Sequence, residues 1–331
     1  AMTYTMKPIY QKLSKIGLKK NDIKTYLPDW WEDSIATTEV GFQESLWLIA
    51  NTFHIDYKTL NLSFSEKVIP QYRLPHHQFK HSVNLDQDKL KPAVAVSMLA
   101  AKLTLTAFET SLDDLSSLSA EKIREHLLSE DNQWIDFKVL IQYCWSIGIP
   151  VIFVKKIPSP KMDGLALLRN DRPVIILTKN DNHGILVFHL AHELGHIILG
   201  HVRENGMMID KKIVKNEFDD LEIQANEFAL ELLTGKANKK YSAKKGLSPK
   251  ALAESVLLKA KEDRIDPLHI ILNYGYSNNN FAFAKQVLQI LVKKLEIIQT
   301  DQEVAQQVFI DNVDLDSIND DEVIRRIIGV E

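Results

Sequence analysis

The run Val187-Phe188-His189-Leu190-Ala191-His192-Glu193-Leu194-Gly195-His196-Ile197-Ile198-Leu199-Gly200-His201 decides how this chain is read. It contains H-E-x-x-H as His192-Glu193-x-x-His196 inside an apolar stretch with helical period. The polar lead Asn180-Asp181-Asn182 precedes it, as an N-capped helix requires. On a helix, residues four apart lie one above the other, so both imidazoles can grip one cation. Neutral imidazole suits Zn²⁺, and two rings from one rigid turn fix the bite of a site at little ordering cost. Glu193 beside them is placed to take the proton of a metal-bound water and hand it to a leaving amine. The competing reading is a pair of histidines satisfied in an ordinary core.

A catalytic zinc needs a third protein ligand. A metzincin-type arrangement would require Gly and His at the positions held by Leu199 and Val202, and Gly200 and His201 are out of register for it. His189 shares the face of His192 but points towards the helix start. The next helical stretch, Phe218 to Leu233, carries an apolar stripe of Leu221, Ala225, Phe228, Ala229 and Leu232, with Glu222 and Asn226 side by side just off it. Set against the first helix, Glu222 completes a two-His-one-Glu site, and Asn226 can bond the other ring nitrogen of a ligand histidine. Asp219, Asp220, Glu227 and Glu231 are equally acidic, so a solvated acidic face stands as the alternative.

A helix reading F-x-L-A-H-E-L-G-H followed by E-x-x-A-N-x-F-A-x-x-L-L resembles the ImmA/IrrE family of zinc-dependent metallo-endopeptidases. The resemblance spans roughly residues 150 to 235. It implies Zn²⁺ held by His192, His196 and Glu222, with Glu193 as general base and Asn226 supporting a ligand ring. It also implies a protein substrate, a helix-turn-helix transcriptional repressor whose cleavage switches on a stress, mobile-element or phage-defence programme.

The rest of the chain frames that core. At 331 residues with 45% hydrophobic and 25% charged residues it reads as a globular protein with two or three cores. A net charge of −4 argues against a chain-wide nucleic-acid surface. The single cysteine, Cys144, excludes an internal disulfide. The sequence shows no membrane-length apolar run and no signal-peptide core, so the expected location is cytoplasmic. The expected organisation is a helical domain over 1–68, a helical connector over 69–130, a zincin-like metallopeptidase core over 131–240 and a helical region over 241–331. The fold class is mainly α with a small β-sheet, that is, α+β.

The first segment is a set of short helices with a basic start, Lys7, Lys12, Lys15, Lys19, Lys20 and Lys24 against Asp22. Leu46-Trp47-Leu48-Ile49-Ala50-Asn51-Thr52-Phe53-His54-Ile55 with Leu60 resembles Xre-type helix-turn-helix domains, and Leu27-Pro28-Asp29-Trp30-Trp31 resembles the N-terminal segment of longer ImmA/IrrE proteins. Where a working repressor has a polar recognition helix, this chain has the acidic, aromatic Tyr26 to Asp33. Base-edge readout needs bidentate donors, so DNA binding and protein docking stand as two readings of this segment.

A polar connector, Pro70 to Asp88, holds His76, His77 and His81, which read as linker residues and not as a second metal site. A long buried helix is expected from Pro92 to Glu109, then helices from Ser119 to Leu128 and from Trp134 to Ile147. Strands are expected at Ile149 to Val154, Gly164 to Arg169 and Pro173 to Thr178. The stretch Gly164-Leu165-Ala166-Leu167-Leu168 is the candidate edge on which an extended substrate would pair. Beyond Thr234 a lysine-rich loop leads into helices at Ser248 to Asp263, around Pro267, and at Phe281 to Ile298. Asp311 to Asp321 is expected as an exposed acidic loop before a last short helix. His269, Tyr274 and Tyr241 are candidates for an oxyanion donor. Two further functions stay open: a regulator or toxin–antitoxin component binding DNA or a partner around a structural metal, and a DNA-binding repressor.

Overall fold

The computed structural model describes residues 3–74, 87–178, 183–210 and 220–331. Helices α1 (Lys7–Ser14), α2 (Lys20–Tyr26), α3 (Glu39–Phe53), α4 (Tyr57–Ser65), α5 (Lys91–Leu105), α6 (Ala120–Ser129) and α7 (Phe137–Ser146) precede three strands, β1 (Val151–Phe153), β2 (Gly164–Arg169) and β3 (Arg172–Leu177). Then come α8 (Ile185–Ile198), α9 (His201–Asn205), β4 (Met207–Asp210) and α10 (Asp220–Thr234). The chain continues through α11 (Pro249–Asp263), α12 (Pro267–Ser277), α13 (Phe281–Lys294), α14 (Asp301–Asn312) and α15 (Asp321–Ile328). This is the expected α+β class, mostly helix with one small sheet.

Local chemistry sets many of these boundaries. Thr38, Asp56, Ser119, Asp136 and Ser248 each accept a backbone N–H of the first turn of α3, α4, α6, α7 and α11. Thr300 and Glu303 form a reciprocal capping box at the start of α14. The helix expected to run to Glu109 ends at Leu105, and the one expected to reach Ile298 ends at Lys294.

The chain forms two compact units: Ala1–Glu109 with Val154–Met162 and Val313–Glu331, and Thr110–Phe153 with Asp163–Asn312. In the first unit, Ile9, Leu13, Leu18, Ile23, Phe42, Leu46 and Phe53 are fully buried. No helix forms over Leu27 to Glu32, and a short 3-10 turn, Asp33–Thr37, follows. That segment is tied to the C-terminal helix α15. The Arg326 guanidinium donates to Leu27 O and to Asp29, Asp29 N–H donates to Glu322, and Trp30 Nε1–H donates to Asp320. The stretch expected as an exposed acidic loop, Asp311 to Asp321, is anchored instead. Val313, Leu315 and Ile318 are buried between its acids, and Asp314 N–H bonds Ala107 O. His76, His77 and His81 lie outside the described residues.

The second unit holds the sheet, in the order β1-β3-β2-β4. β1 and β3 are parallel; β2 is antiparallel to both β3 and β4. Asn170 and Asp171, both at positive φ (50° and 62°), make the tight turn between β2 and β3. The sheet corrects one expectation, because Gly164 to Leu168 is not an edge. Gly164, Leu165, Ala166 and Leu167 pair with Asp210, Ile209, Met208 and Met207, so β2 is flanked on both sides. Methionine is not among the β-branched and aromatic residues that signal a strand; in β4 Met207 and Met208 are buried, and Gly206 (φ 79°) turns the chain back after α9.

At the other end of this unit, Arg124 of α6 donates to Leu232 O and Leu233 O of α10 and to Asp263 O and Arg264 O at the end of α11. One guanidinium thereby satisfies the orphan carbonyls of two helix C-termini. Arg264 returns the arrangement by donating to Leu128 O and Asn132 O at the end of α6.

Candidate metal centre

The site is built on α8, which is buried along most of its length by Leu186, Val187, Leu190, Ala191, Leu194 and Ile197. The polar residues expected to cap it, Asn180 to Asn182, lie outside the described residues. The N-cap position is Gly184 at φ 80°, and its N–H donates to Asp301 Oδ2 at 2.9 Å, which places a carboxyl group at the positive end of the helix. Burial raises the Asp301 carboxyl to about 7, against the hydrogen bonds from Gly184 and Leu186 and with added repulsion from Asp136. Asp266 and Asp136 are likewise raised, both chiefly by burial.

α10 packs along α8 closely because Gly195 has no side chain. A Cβ there would stand 3.0 Å from the Phe228 ring. This approach brings Glu222 across from the histidine pair. His192 Nε2 lies 3.0 Å from His196 Nε2, 3.2 Å from Glu222 Oε2, and Glu222 Oε1 lies 3.3 Å from His196 Nε2. Two ligands at zinc-ligand distance from a tetrahedral ion stand about 3.3 Å apart. The two ring nitrogens and the Glu222 carboxylate therefore lie at separations that such an ion allows.

Their ionisation suits a cation too. His192 and His196 are only 2% and 0% exposed. Burial, with the neighbouring His192 and His201, holds His196 below the usual imidazole range, against the pull of Glu222, so the ring stays neutral at pH 7. Burial would raise the Glu222 carboxyl, but hydrogen bonds and charge from the two rings outweigh it and hold the group at about 2. Two imidazoles and one carboxylate converge on one point. Two imidazole nitrogens and one carboxylate are a donor set that fits Zn²⁺.

The far sides of both rings are also engaged. His192 Nδ1 is 2.9 Å from Asn226 Oδ1, the residue one turn beyond Glu222 on α10. His196 Nδ1 is 2.9 Å from Nδ1 of His201, whose Nε2 is 3.1 Å from Gln224 Oε1. Sequence reasoning set His201 aside because it is out of register as a ligand, and it did not single out Gln224. Gly200 at φ 83° ends α8 and swings His201 back beneath His196, a turn that the Gly-His pair could have signalled.

Glu193 is fully buried on the neighbouring face of α8, beneath β2. A Cβ on Gly164 would meet its Oε1 at 2.5 Å, so the glycine leaves the space that the carboxylate occupies. Leu165, Ala166 and Leu167 are buried and Leu168 half-buried in the interior strand. His189 is half-buried and outside the ligand group.

The oxyanion candidates separate by position. Tyr241 lies by Arg124 and Asp263, at the end of α10 opposite Glu222, roughly 15 Å away at the helical rise. Tyr274 pairs with the Phe283 ring among the C-terminal helices. His269 is buried and stacks on Phe188, whose ring also lies 6.4 Å from that of His192. Burial lowers the His269 ring to about 4, so it is neutral.

Residues 148–254 match the family model Peptidase_M78, the IrrE N-terminal-like domain. The Peptidase_M78 match runs from the start of β1 into α11 and contains His192, Glu193, His196 and Glu222. It supports a metallopeptidase-type function and agrees with the residue group on α8 and α10 that can hold a metal ion. No curated protein matches the chain. No helix among the described residues is long and apolar enough to cross a membrane.

Proposed function

We propose that this chain is a cytoplasmic zinc-dependent endopeptidase, with a helix-turn-helix transcriptional repressor as its substrate. The observation that carries the enzymatic part is the convergence of His192, His196 and Glu222 beside the buried carboxylate of Glu193. Three protein donors, two imidazoles and a carboxylate, are the complement of catalytic zinc sites, which keep a position open, whereas structural sites close with four.

His192, His196 and Glu222 would hold the ion through Nε2, Nε2 and the carboxylate. Bound there, zinc supplies Lewis-acid polarisation and a lowered pKa for water. Glu193 accepts a proton from the attacking water on its carboxylate and delivers it to the amine of the departing peptide. Asn226 Oδ1 accepts from His192 Nδ1–H, which fixes the ring and turns its Nε2 lone pair inward. Burial of Glu193 and both rings excludes bulk water, which strengthens each electrostatic contact. An extended substrate cannot add to β2 unless β4 leaves it, so presentation on Gly164 to Leu168 is not part of this proposal.

The basic N-terminal segment is not arranged for base readout. Leu27, Asp29 and Trp30 are hydrogen-bonded to α15, and Lys20 and Lys24 pair with Asp33. The segment offers acids and aromatics where major-groove recognition needs free bidentate donors. Zinc stoichiometry by elemental mass spectrometry, together with cleavage of candidate repressors by wild type and Glu193→Gln, tests the proposal. One zinc per chain and cleavage lost in the variant are expected; a wild type that binds no zinc refutes the reading.

A further inference from the structure

We propose that the helices α11 to α13, with the lysine-rich loop that leads into them, form a binding surface for single-stranded nucleic acid, on which lysines hold phosphates and the rings of Tyr276 and Phe281 stack on bases. The inference is independent of the metal-binding reading above.

Charge is unevenly placed along the chain. The net charge is −4 over 331 residues, yet residues 236–298 carry 12 Lys and Arg against 5 Asp and Glu. Three of those acids are engaged: Glu254 lies 3.7 Å from Lys294, and Glu262 and Asp263 lie 3.5 and 3.0 Å from Lys259. Asp266 is buried, which leaves Glu296 beyond the end of α13. Lys236, Lys240, Lys244, Lys245 and Lys285 are exposed, and no acid pairs with them among the described residues. Such a surplus of ammonium groups on one part of an acidic chain is the electrostatic footprint of a polyanion partner. The part is also rigid, since α11, α12 and α13 share one core through Val256, Ile271 and Val287.

The end of α12 brings lysines and rings together. Tyr241 N–H donates to Asn273 Oδ1 at 3.1 Å, Asn273 Nδ2 donates to Lys239 O at 3.1 Å, and Asn278 Nδ2 donates to Tyr241 O at 2.8 Å. These bonds fasten the stretch Lys239 to Tyr241 along the last turns of α12, where Tyr276 is 79% exposed. Tyr276 meets Phe281, itself 48% exposed, edge to face with ring centroids 6.4 Å apart. Lys285 stands one turn beyond Phe281 on the solvent face of α13. Lys240, Tyr276, Phe281 and Lys285 thus set two aromatic rings between ammonium groups.

That succession selects among polyanions. The bases of a duplex are stacked on both faces, so exposed rings find a free base face only on a single strand. The turn joining α12 to α13, Asn278-Asn279-Asn280, is exposed and polar. Amides suit base edges and phosphates, whereas a membrane surface would need apolar side chains there.

The test uses the full chain with fluorescein-labelled oligothymidylate and oligouridylate of about 20 nucleotides, longer than one binding site, read by anisotropy across a sodium chloride series. Binding of at least one is expected, and the tighter of the two names the natural strand. Log affinity should fall against log salt with a slope of about −3, as about four phosphate contacts give. Tyr276→Ala with Phe281→Ala, at exposed positions, should weaken binding about 10- to 100-fold. Lys240→Gln with Lys285→Gln should make the salt slope shallower by about 1. Heparin held as tightly as the oligonucleotides, with the ring variant binding like wild type, would mark a general anion surface and overturns the proposal. So does oligonucleotide binding unchanged in both variants, which would place it elsewhere on the chain. A wild type that binds neither oligonucleotide, whether or not it binds phosphatidylserine vesicles, overturns it as well.

Discussion

A Cβ on Gly164, the first residue of β2, would fall 2.5 Å from Glu193 Oε1 on α8, so a larger side chain at position 164 and the carboxylate in its present place exclude each other. Replacing Gly164 with Ala must push Glu193 from its place while leaving the three ligand atoms where they are. Zinc content is expected to stay at the wild-type level, and peptide cleavage to fall on the order of 10²-fold, as for a misplaced catalytic group. Metal analysis and steady-state kinetics on one preparation check this, and undiminished kcat would show that Gly164 does not set the place of Glu193.

Glu193→Gln keeps the shape of the side chain and removes its ability to hold a proton. Cleavage should drop by about 10²- to 10⁴-fold with zinc affinity little changed. A variant that lost zinc along with activity would instead mark Glu193 as a ligand.

Glu222→Ala and Asn226→Leu separate a ligand from its support. Without Glu222, only two imidazoles remain on the shared point, and stoichiometric zinc should be lost under mild chelation. Without Asn226, His192 loses its Nδ1 partner and affinity should weaken by about 10- to 100-fold while one zinc still binds at saturation. Competition titrations distinguish the two outcomes.

Asp301→Asn should stabilise the protein at pH 8 and change little at pH 4. The Asp301 carboxyl is raised to about 7 in the folded chain, so the folded state holds its proton while the unfolded chain loses its own near the ordinary aspartate value. Stability from this group is thus full below about pH 4 and declines as pH rises through about 7. An amide oxygen can still accept from Gly184 N–H without that loss, for a gain on the order of 2 kcal/mol at pH 8. Thermal melts of the metal-free wild type and variant across pH 4 to 8 read the difference; equal shifts at both ends would contradict it.

Arg124→Leu should destabilise the protein by about 2–4 kcal/mol, since carbonyls at the ends of two helices lose a charged donor. Arg124→Lys should recover only part of this, because one ammonium cannot span both helix ends as a planar fork does. Denaturant melts of the two variants measure both effects.

The ligand helices were legible because their evidence is local. His192, Glu193 and His196 share one turn and one period, and Glu222 and Asn226 are one turn apart beside an apolar stripe, so spacing gave the faces, while the choice of Glu222 among its acidic neighbours came from the resemblance to ImmA/IrrE proteins. The sheet edge was not legible in the same way. Met207 and Met208 are not the β-branched or aromatic residues that signal a strand, and in β4 they pair with β2 and are buried. His201 was weighed only as a ligand, since its contact with His196 exists only after the turn at Gly200.

By itself, then, the sequence determined the α+β class and the pair of helices that bear His192, His196 and Glu222, donor types suited to a metal ion. These are encoded in residue type and in periods of a few residues, which need no tertiary context. Only the tertiary structure decided that β2 is interior, that Asp301 sits at the start of α8, that Gly164 makes room for Glu193, and that His201 lies against the His196 ring. Each of these depends on groups far apart in sequence meeting at a few ångströms, a distance set by packing and not by any local pattern.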